Sequence, residues 1–392
     1  MMYKDYFPYF KNSNIVYLDN AATTQKPQVV IDEIVNYYSS YCSNTHRSNH
    51  GNANKATQNY EHTREVLKKF INAKEKHEII FTKGVTESIN FIVNSYAKNR
   101  FKKVIISSLE HHSNIVPWQI ANIDFEVVKC NENLDFDYED FENILKENPN
   151  ALVSITHISN AFGKIHGIKR ITNLAHKYGA KVLVDGAQSL THKKTDVQDL
   201  DIDFLAISSH KTFGPTGVGA IYIKENLLND ILPYQTGGAT INDVTYERSI
   251  LLDSPFKFEA GTQNIAGVIG FGKAIEFIEE LGYENIEKKE IEIYTYLYEE
   301  LLKIDDIIFY SDIKNSIGSL SFNIKNIMAE DVGILVDKMS IALRCGHHCA
   351  QPIMKSLGIE GTIRVSIAFY NEKEDIDKLI IALKKAITML KD

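Results

Sequence analysis

Cysteine and proline are scarce in this chain, which has 392 residues with four cysteines and eight prolines. Four cysteines (Cys42, Cys130, Cys345 and Cys349) are too few for a disulfide scaffold and favour a reducing, cytoplasmic setting. The prolines and 21 glycines are dispersed, with no linker tract, internal repeat or low-complexity segment. Two packed domains are therefore expected. No apolar run approaches the roughly 20 residues of a membrane-spanning helix. Met1–Phe10 lacks an apolar core of signal-peptide length. Basic residues are outnumbered 43 to 51, for a net charge of −8, which argues against nucleic acid as the main partner. What remains is the composition of a globular protein, 44% hydrophobic and 24% charged.

Short apolar runs alternate with helical patterns. Strands are expected at 104–107, 125–129, 151–156, 181–184, 204–207 and 219–223, with helices at 137–148 and 168–178 among them. Such alternation points to an α/β fold with a mainly parallel sheet sandwiched by helices. A long helical segment over about 265–303 leads to shorter strands (307–310, 319–324, 341–344, 362–367) and helices near 329–339 and 373–391. We read a large domain over 21–265 and a smaller α+β domain formed by 1–20 and 266–392.

Two polar residues stand directly after apolar runs. Lys181-Val182-Leu183-Val184 leads into Asp185, and Phe204-Leu205-Ala206-Ile207 leads through Ser208-Ser209-His210 to Lys211. A free lysine has a pKa of about 10.4 and belongs on a solvated face. A lysine at a sheet mouth with an acid at a neighbouring strand end suits pyridoxal phosphate. The lysine would form a Schiff base and the acid would keep the pyridine nitrogen protonated. Glu110-His111-His112 and Asn160 follow two further strands, and open α/β sheets bind ligands at the carboxyl ends of their strands. A strand-terminal acid alone is as readily a helix cap; four polar motifs at four strand ends are not so explained.

The phosphate would need an anion site. Thr82-Lys83-Gly84-Val85-Thr86 precedes an amphipathic helix, so the backbone turn at Gly84, the first amides and the Thr86 hydroxyl suit one, although an ordinary capped helix has the same pattern. Ser208 or His210 would add a ligand. Gly214 to Gly219 is glycine-rich but precedes a strand, the reverse of a dinucleotide fingerprint. Arg344-Cys345-Gly346-His347-His348-Cys349 has no second pair at zinc spacing, and no metal is expected. Arg344 and the two histidines supply a positive environment that suits a reactive thiol, while an inert buried cysteine stays open for Cys345.

These residues carry a resemblance to the SUF-type cysteine desulfurases, a branch of the class V, fold-type I aminotransferase group. It runs from Tyr17-Leu18-Asp19-Asn20-Ala21-Ala22 to Arg364-Val365-Ser366 through Glu-His-His-Ser-Asn-Ile-Val-Pro-Trp-Gln at 110–119, Val-Asp-Gly-Ala-Gln at 184–188, Ser-His-Lys at 209–211, Phe-Glu-Ala-Gly-Thr at 258–262 and Arg-Cys-Gly-His-His-Cys-Ala at 344–350. The resemblance implies Lys211 as the Schiff-base lysine, Asp185 as the pyridine partner, His111 stacked on the ring and Gln188 on its hydroxyl. It gives the phosphate to Thr86, Ser208 and His210, with Thr262 reaching it from the other subunit of a homodimer. Asn160 and Arg364, with Arg344 and His50, would hold the substrate. Cys349 would be the nucleophile and His111 a proton shuttle. Three departures are visible: Val85 stands for Thr, and Ser48 and Ser209 for Gly. The implied activity is removal of sulfur from L-cysteine, giving alanine and an enzyme persulfide for an acceptor protein in iron–sulfur cluster assembly. A selenocysteine lyase, another class V lyase or a non-catalytic scaffold are the rival readings.

Overall fold

The computed structural model describes residues 2–391. Its main sheet has seven strands, in spatial order Ile79–Thr82, Gly219–Ile223, Phe204–Ser208, Lys181–Asp185, Leu152–Thr156, Lys103–Ser107 and Asp124–Val128. Only Gly219–Ile223 runs against the others. Strands buried on both faces read as continuous apolar runs, and here alternate residues divide between two cores. Ile105, Val182, Val184, Leu205 and Ile207 join one cluster; Val104, Ile106, Leu183, Phe204 and Ala206 join another. The helices Gln28–Ser40, Gly51–Phe70 and Ile265–Leu281 cover the first face, and Val85–Ile92 covers the second. Helix Ile168–Lys177 shows the sequence logic directly: Ile168, Ile171, Thr172 and Ala175 lie on one turn-spaced face and are all buried.

A smaller antiparallel sheet follows the order Ile307–Phe309, Ser319–Ile324, Thr362–Ser366, Arg344–Gly346. Helices Tyr283–Leu301, Ala329–Asp337 and Lys373–Lys391 bury Leu297, Val332 and Leu383 with Leu320, Phe322 and Val365 in its core. The N-terminal residues join it, since Val16–Tyr17 pairs in parallel with Ile341–Ala342. Phe7 instead reaches the larger core, packed among Phe213, Phe277 and Tyr370.

Two local expectations change and one strand, Ile79–Thr82, is added. The expected strand at 341–344 is two strands, Ile341–Ala342 and Arg344–Gly346, pairing with different partners. The helical segment 265–303 breaks at Gly282, whose φ of +80° an L side chain rarely adopts, so Ile265–Leu281 and Tyr283–Leu301 diverge. Strand Ile79–Thr82 completes the sheet edge and leads directly into Gly84. Across the two sheets Lys164, 1% exposed, donates to Asp135 at 3.1 Å and to Asp312.

Candidate active site

The carboxyl ends of the parallel strands open into a cavity of about 610 Å³. Asp185, Lys211, His111, Gln188, Ser208, His210, Thr86, Asn160, Arg344, Arg364 and Cys349 all line it. Two of the expected site residues do not. Thr262 is exposed and lies against Asn44, facing a different cavity. His50 is exposed and caps the helix Gly51–Phe70, its Nδ1 accepting from the Ala53 amide at 3.4 Å. Within its own subunit His50 therefore stands at a helix end outside this cavity, with only Nδ1 engaged in the cap.

Asp185 ends its strand buried, with one carboxylate oxygen accepting from the Ala187 amide at 2.9 Å. Burial pushes its carboxyl up, against the Ala187 bond and the Lys211 charge. Lys211 sits in a tight loop. Thr191 Oγ1 donates to its carbonyl at 2.6 Å, and the Gly214 amide returns to Ser209. Among the described residues its Nζ has no hydrogen-bond or ion-pair partner. Burial lowers its pKa to about 8, with Asp185 opposing and Arg364 adding to the shift. That is the environment in which a lysine becomes a base near neutral pH.

His111 sits at the start of a short turn, its Nδ1 accepting from the Ser113 amide at 3.1 Å. That bond leaves the proton on Nε2. Burial, with Lys211 next, drops its pKa to about 3, so the ring is neutral. Glu110, fully buried, ties this loop to the neighbouring strand by accepting from Asn114 Nδ2 at 2.7 Å and the Thr156 amide at 3.0 Å. Gln188 Nε2 donates to the Ala21 carbonyl at 2.9 Å, leaving its amide oxygen for the cavity. The His210 ring rests on Thr23 Oγ1 at 3.2 Å, and burial lowers its pKa to about 4.

On the opposite wall, Arg364 is 1% exposed. Its Nη1 donates to the Asn160 carbonyl at 2.9 Å and its Nη2 to Asp19 at 2.7 Å, while its buried Nε has no partner. A buried guanidinium with spare donors is built for an anion. Asn160 Nδ2 donates to the His348 carbonyl at 2.7 Å, which couples Arg364 to the Cys349 turn. His348 and Cys349 both have positive φ, +52° and +56°. The Cys349 carbonyl accepts from the His112 amide at 2.8 Å, and its amide donates to His347 Nδ1 at 3.1 Å. The two histidines do not both supply positive charge here. His348 is buried with Nε2 2.9 Å from Thr362 Oγ1, and burial holds its pKa near 2. Cys345 lies outside the cavity, its thiol pushed up to about 12 by burial.

Several lining residues were not singled out from the sequence. Ser113 bridges His111 and Thr86, its Oγ 2.7 Å from Thr86 Oγ1. Asp19, behind the cavity wall and not lining it, anchors Arg364. Both lie inside quoted motifs, so their signal was present but their partners were not. Glu87 and Tyr234 also line the cavity.

The residues present fit pyridoxal phosphate. An unpartnered Lys211 amine and a buried carboxylate share one cavity, and the amides of a helix start close its far end.

The family model for class-V aminotransferases matches residues 16–379. A cysteine desulfurase of Synechococcus elongatus is 41% identical over 95% of this chain, which spans 61% of that longer protein. A probable cysteine desulfurase of Halalkalibacterium halodurans is 42% identical over 95% of this chain and 93% of its own length. Among solved structures, a cysteine desulfurase from Thermococcus onnurineus superposes with a TM-score of 0.94 at 35% identity, covering 100% of this chain and 99% of that one. One from Escherichia coli gives 0.91 at 34% identity, over 99% and 98% of the two chains.

Proposed function

Since the chain belongs to the class-V aminotransferase family, whose members use pyridoxal phosphate, we propose that it is a cysteine desulfurase of the SUF type. The observation that carries this reading is one cavity lined by Lys211, Asp185, Arg364 and Cys349 together. Pyridoxal phosphate, when bound, supplies an electron sink for charge developing at the substrate Cα.

The protein's own groups do the rest. Arg364 and Asn160 bind the carboxylate of L-cysteine, with Arg364 Nε the donor still free. The Lys211 amine, with its proton affinity lowered by burial, takes the Cα proton. Buried Asp185 would hold the ring nitrogen, and the Gln188 amide oxygen would meet the ring hydroxyl. Thr86, Ser208 and His210 line the phosphate end. The Cys349 thiolate attacks the substrate sulfur; an S–S bond forms, the C–S bond breaks, and its electron pair stays with the carbon fragment. Reprotonation gives alanine, and the sulfur remains on Cys349 as a persulfide. His111, neutral and with its proton on Nε2, would stack on the ring and serve as the proton shuttle of this reading.

The same reading makes the protein a homodimer. Thr262 is exposed away from its own cavity, which suits a residue that serves the partner. It also keeps a cofactor body over 21–265 and a smaller body from 1–20 and 266–392 that carries Cys349. It places the protein in the cytoplasm, delivering persulfide sulfur to an acceptor protein for iron–sulfur cluster assembly.

The test is alanine and persulfide production from L-cysteine, with selenocysteine as comparison. Lys211→Ala should abolish both products and the visible absorption of lysine-bound cofactor. Cys349→Ser should keep that absorption and lose the persulfide. Unchanged cysteine desulfuration by Cys349→Ser would remove Cys349 from its role.

A further inference from the structure

The anion end of the cavity contains an acid. Glu87 stands in the first turn of helix Val85–Ile92, one residue beyond Thr86, where a phosphate group would be met by the helix start. A carboxylate free to swing there would repel it.

The structure restrains this carboxylate. Glu87 Oε2 accepts from the Lys83 amide, and the Lys83 ammonium lies 4.0 Å from Oε1. The remaining strong contact is the Tyr234 hydroxyl, which donates to Oε1 at 2.6 Å. Tyr234 comes from a segment remote in sequence. Its ring is set edge-on to Phe91 at 5.4 Å, so the hydroxyl is aimed by packing and not by its own bond. Burial and the Glu87 bond both raise the phenol pKa, so it stays a donor throughout the physiological range. Glu87 and Tyr234 also line a second cavity of about 530 Å³. They form the partition between the two cavities.

We propose that Tyr234 is a positioning residue for cofactor binding: its hydroxyl pins the Glu87 carboxylate to the partition and keeps negative charge off the phosphate site. This inference rests on the cofactor reading above.

The experiment compares pyridoxal phosphate with pyridoxal, which lacks the phosphate, by absorbance titration of cofactor-free protein. Tyr234→Phe keeps the ring and its contact with Phe91. It should weaken pyridoxal phosphate about tenfold, the scale of one misplaced charge near a partly screened anion. Pyridoxal should bind as it does to the unaltered protein. Adding Glu87→Gln to Tyr234→Phe should restore the phosphate form to within about twofold, because the offending charge is gone. Equal weakening of both ligands would mean a merely structural role and overturn the proposal. Failure of Glu87→Gln to rescue would overturn it as well. If the unaltered protein binds neither ligand, the cofactor reading itself fails, which is a distinguishable result.

Discussion

Lys211 and Arg364 show how burial turns ordinary cations into specific tools. The Lys211 amine falls from 10.5 to about 8 because solvent is removed from its charged form. In cofactor-free protein, its labelling by an amine-selective reagent should reach half its limiting rate near pH 8, read by peptide mass spectrometry. A rate still climbing tenfold per pH unit at pH 9 would show an unshifted lysine. The sign for stability follows. Between about pH 8 and 10.5 the unfolded chain keeps a proton that the folded one has lost, so this group makes folding more favourable as pH rises through that window. Arg364 places its two terminal nitrogens on Asn160 and Asp19 with Nε to spare, a planar fork that an ammonium cannot reproduce. Arg364→Lys should raise the KM for L-cysteine by roughly 10- to 100-fold, more than it lowers kcat, in steady-state kinetics.

At the scale of elements, the site is placed by strand ends and by the close approach of two loops. The glycine-rich segment before strand Gly219–Ile223 is not a nucleotide loop. A Cβ on Gly219 would stand 2.6 Å from the Gly84 Cα and 2.3 Å from the Ile207 carbonyl oxygen. Gly219 therefore lets the turn at Gly84, and with it the helix start that faces the cavity, sit against the sheet. Gly219→Ala should cost about 2 kcal/mol in denaturant unfolding and weaken cofactor binding, since the backbone at Gly84 must move. Gly51→Ala, where a Cβ meets nothing within 4 Å, serves as the neutral control. The strands bearing Asp185 and Lys211 were legible because buried parallel strands are short apolar runs, and a polar residue directly after one is conspicuous. The strand expected at 341–344 was legible, but its division was not, because Ile341–Ala342 takes its partner Val16–Tyr17 from more than 300 residues away while Arg344–Gly346 pairs elsewhere.

For the whole molecule, the cavity exists only where the two sheets meet. Lys211 and Asp185 come from the large sheet, while Arg364 and Cys349 come from the smaller one or its loops. Lys164 ties the two together through Asp135 and Asp312. Lys164→Met should destabilise the protein by about 1–3 kcal/mol in thermal or guanidinium unfolding, at the low end of buried-pair values because both acids keep access to water. No loss of stability would show that the contact between the sheets is carried by apolar packing alone. The sequence by itself determined the α/β architecture, the acid and lysine at neighbouring strand ends, and the motifs of the class-V family. Those features depend on local pattern and on residue chemistry, which survive without coordinates. Tertiary structure alone decided that His348 turns inward to Thr362, that His50 stands at a helix cap, that Thr262 faces away from its own cavity, and that Tyr234 meets Glu87 at the anion end. Each of those depends on where a side chain points and what lies across from it, and residues 147 positions apart, like Glu87 and Tyr234, meet only once the chain has packed.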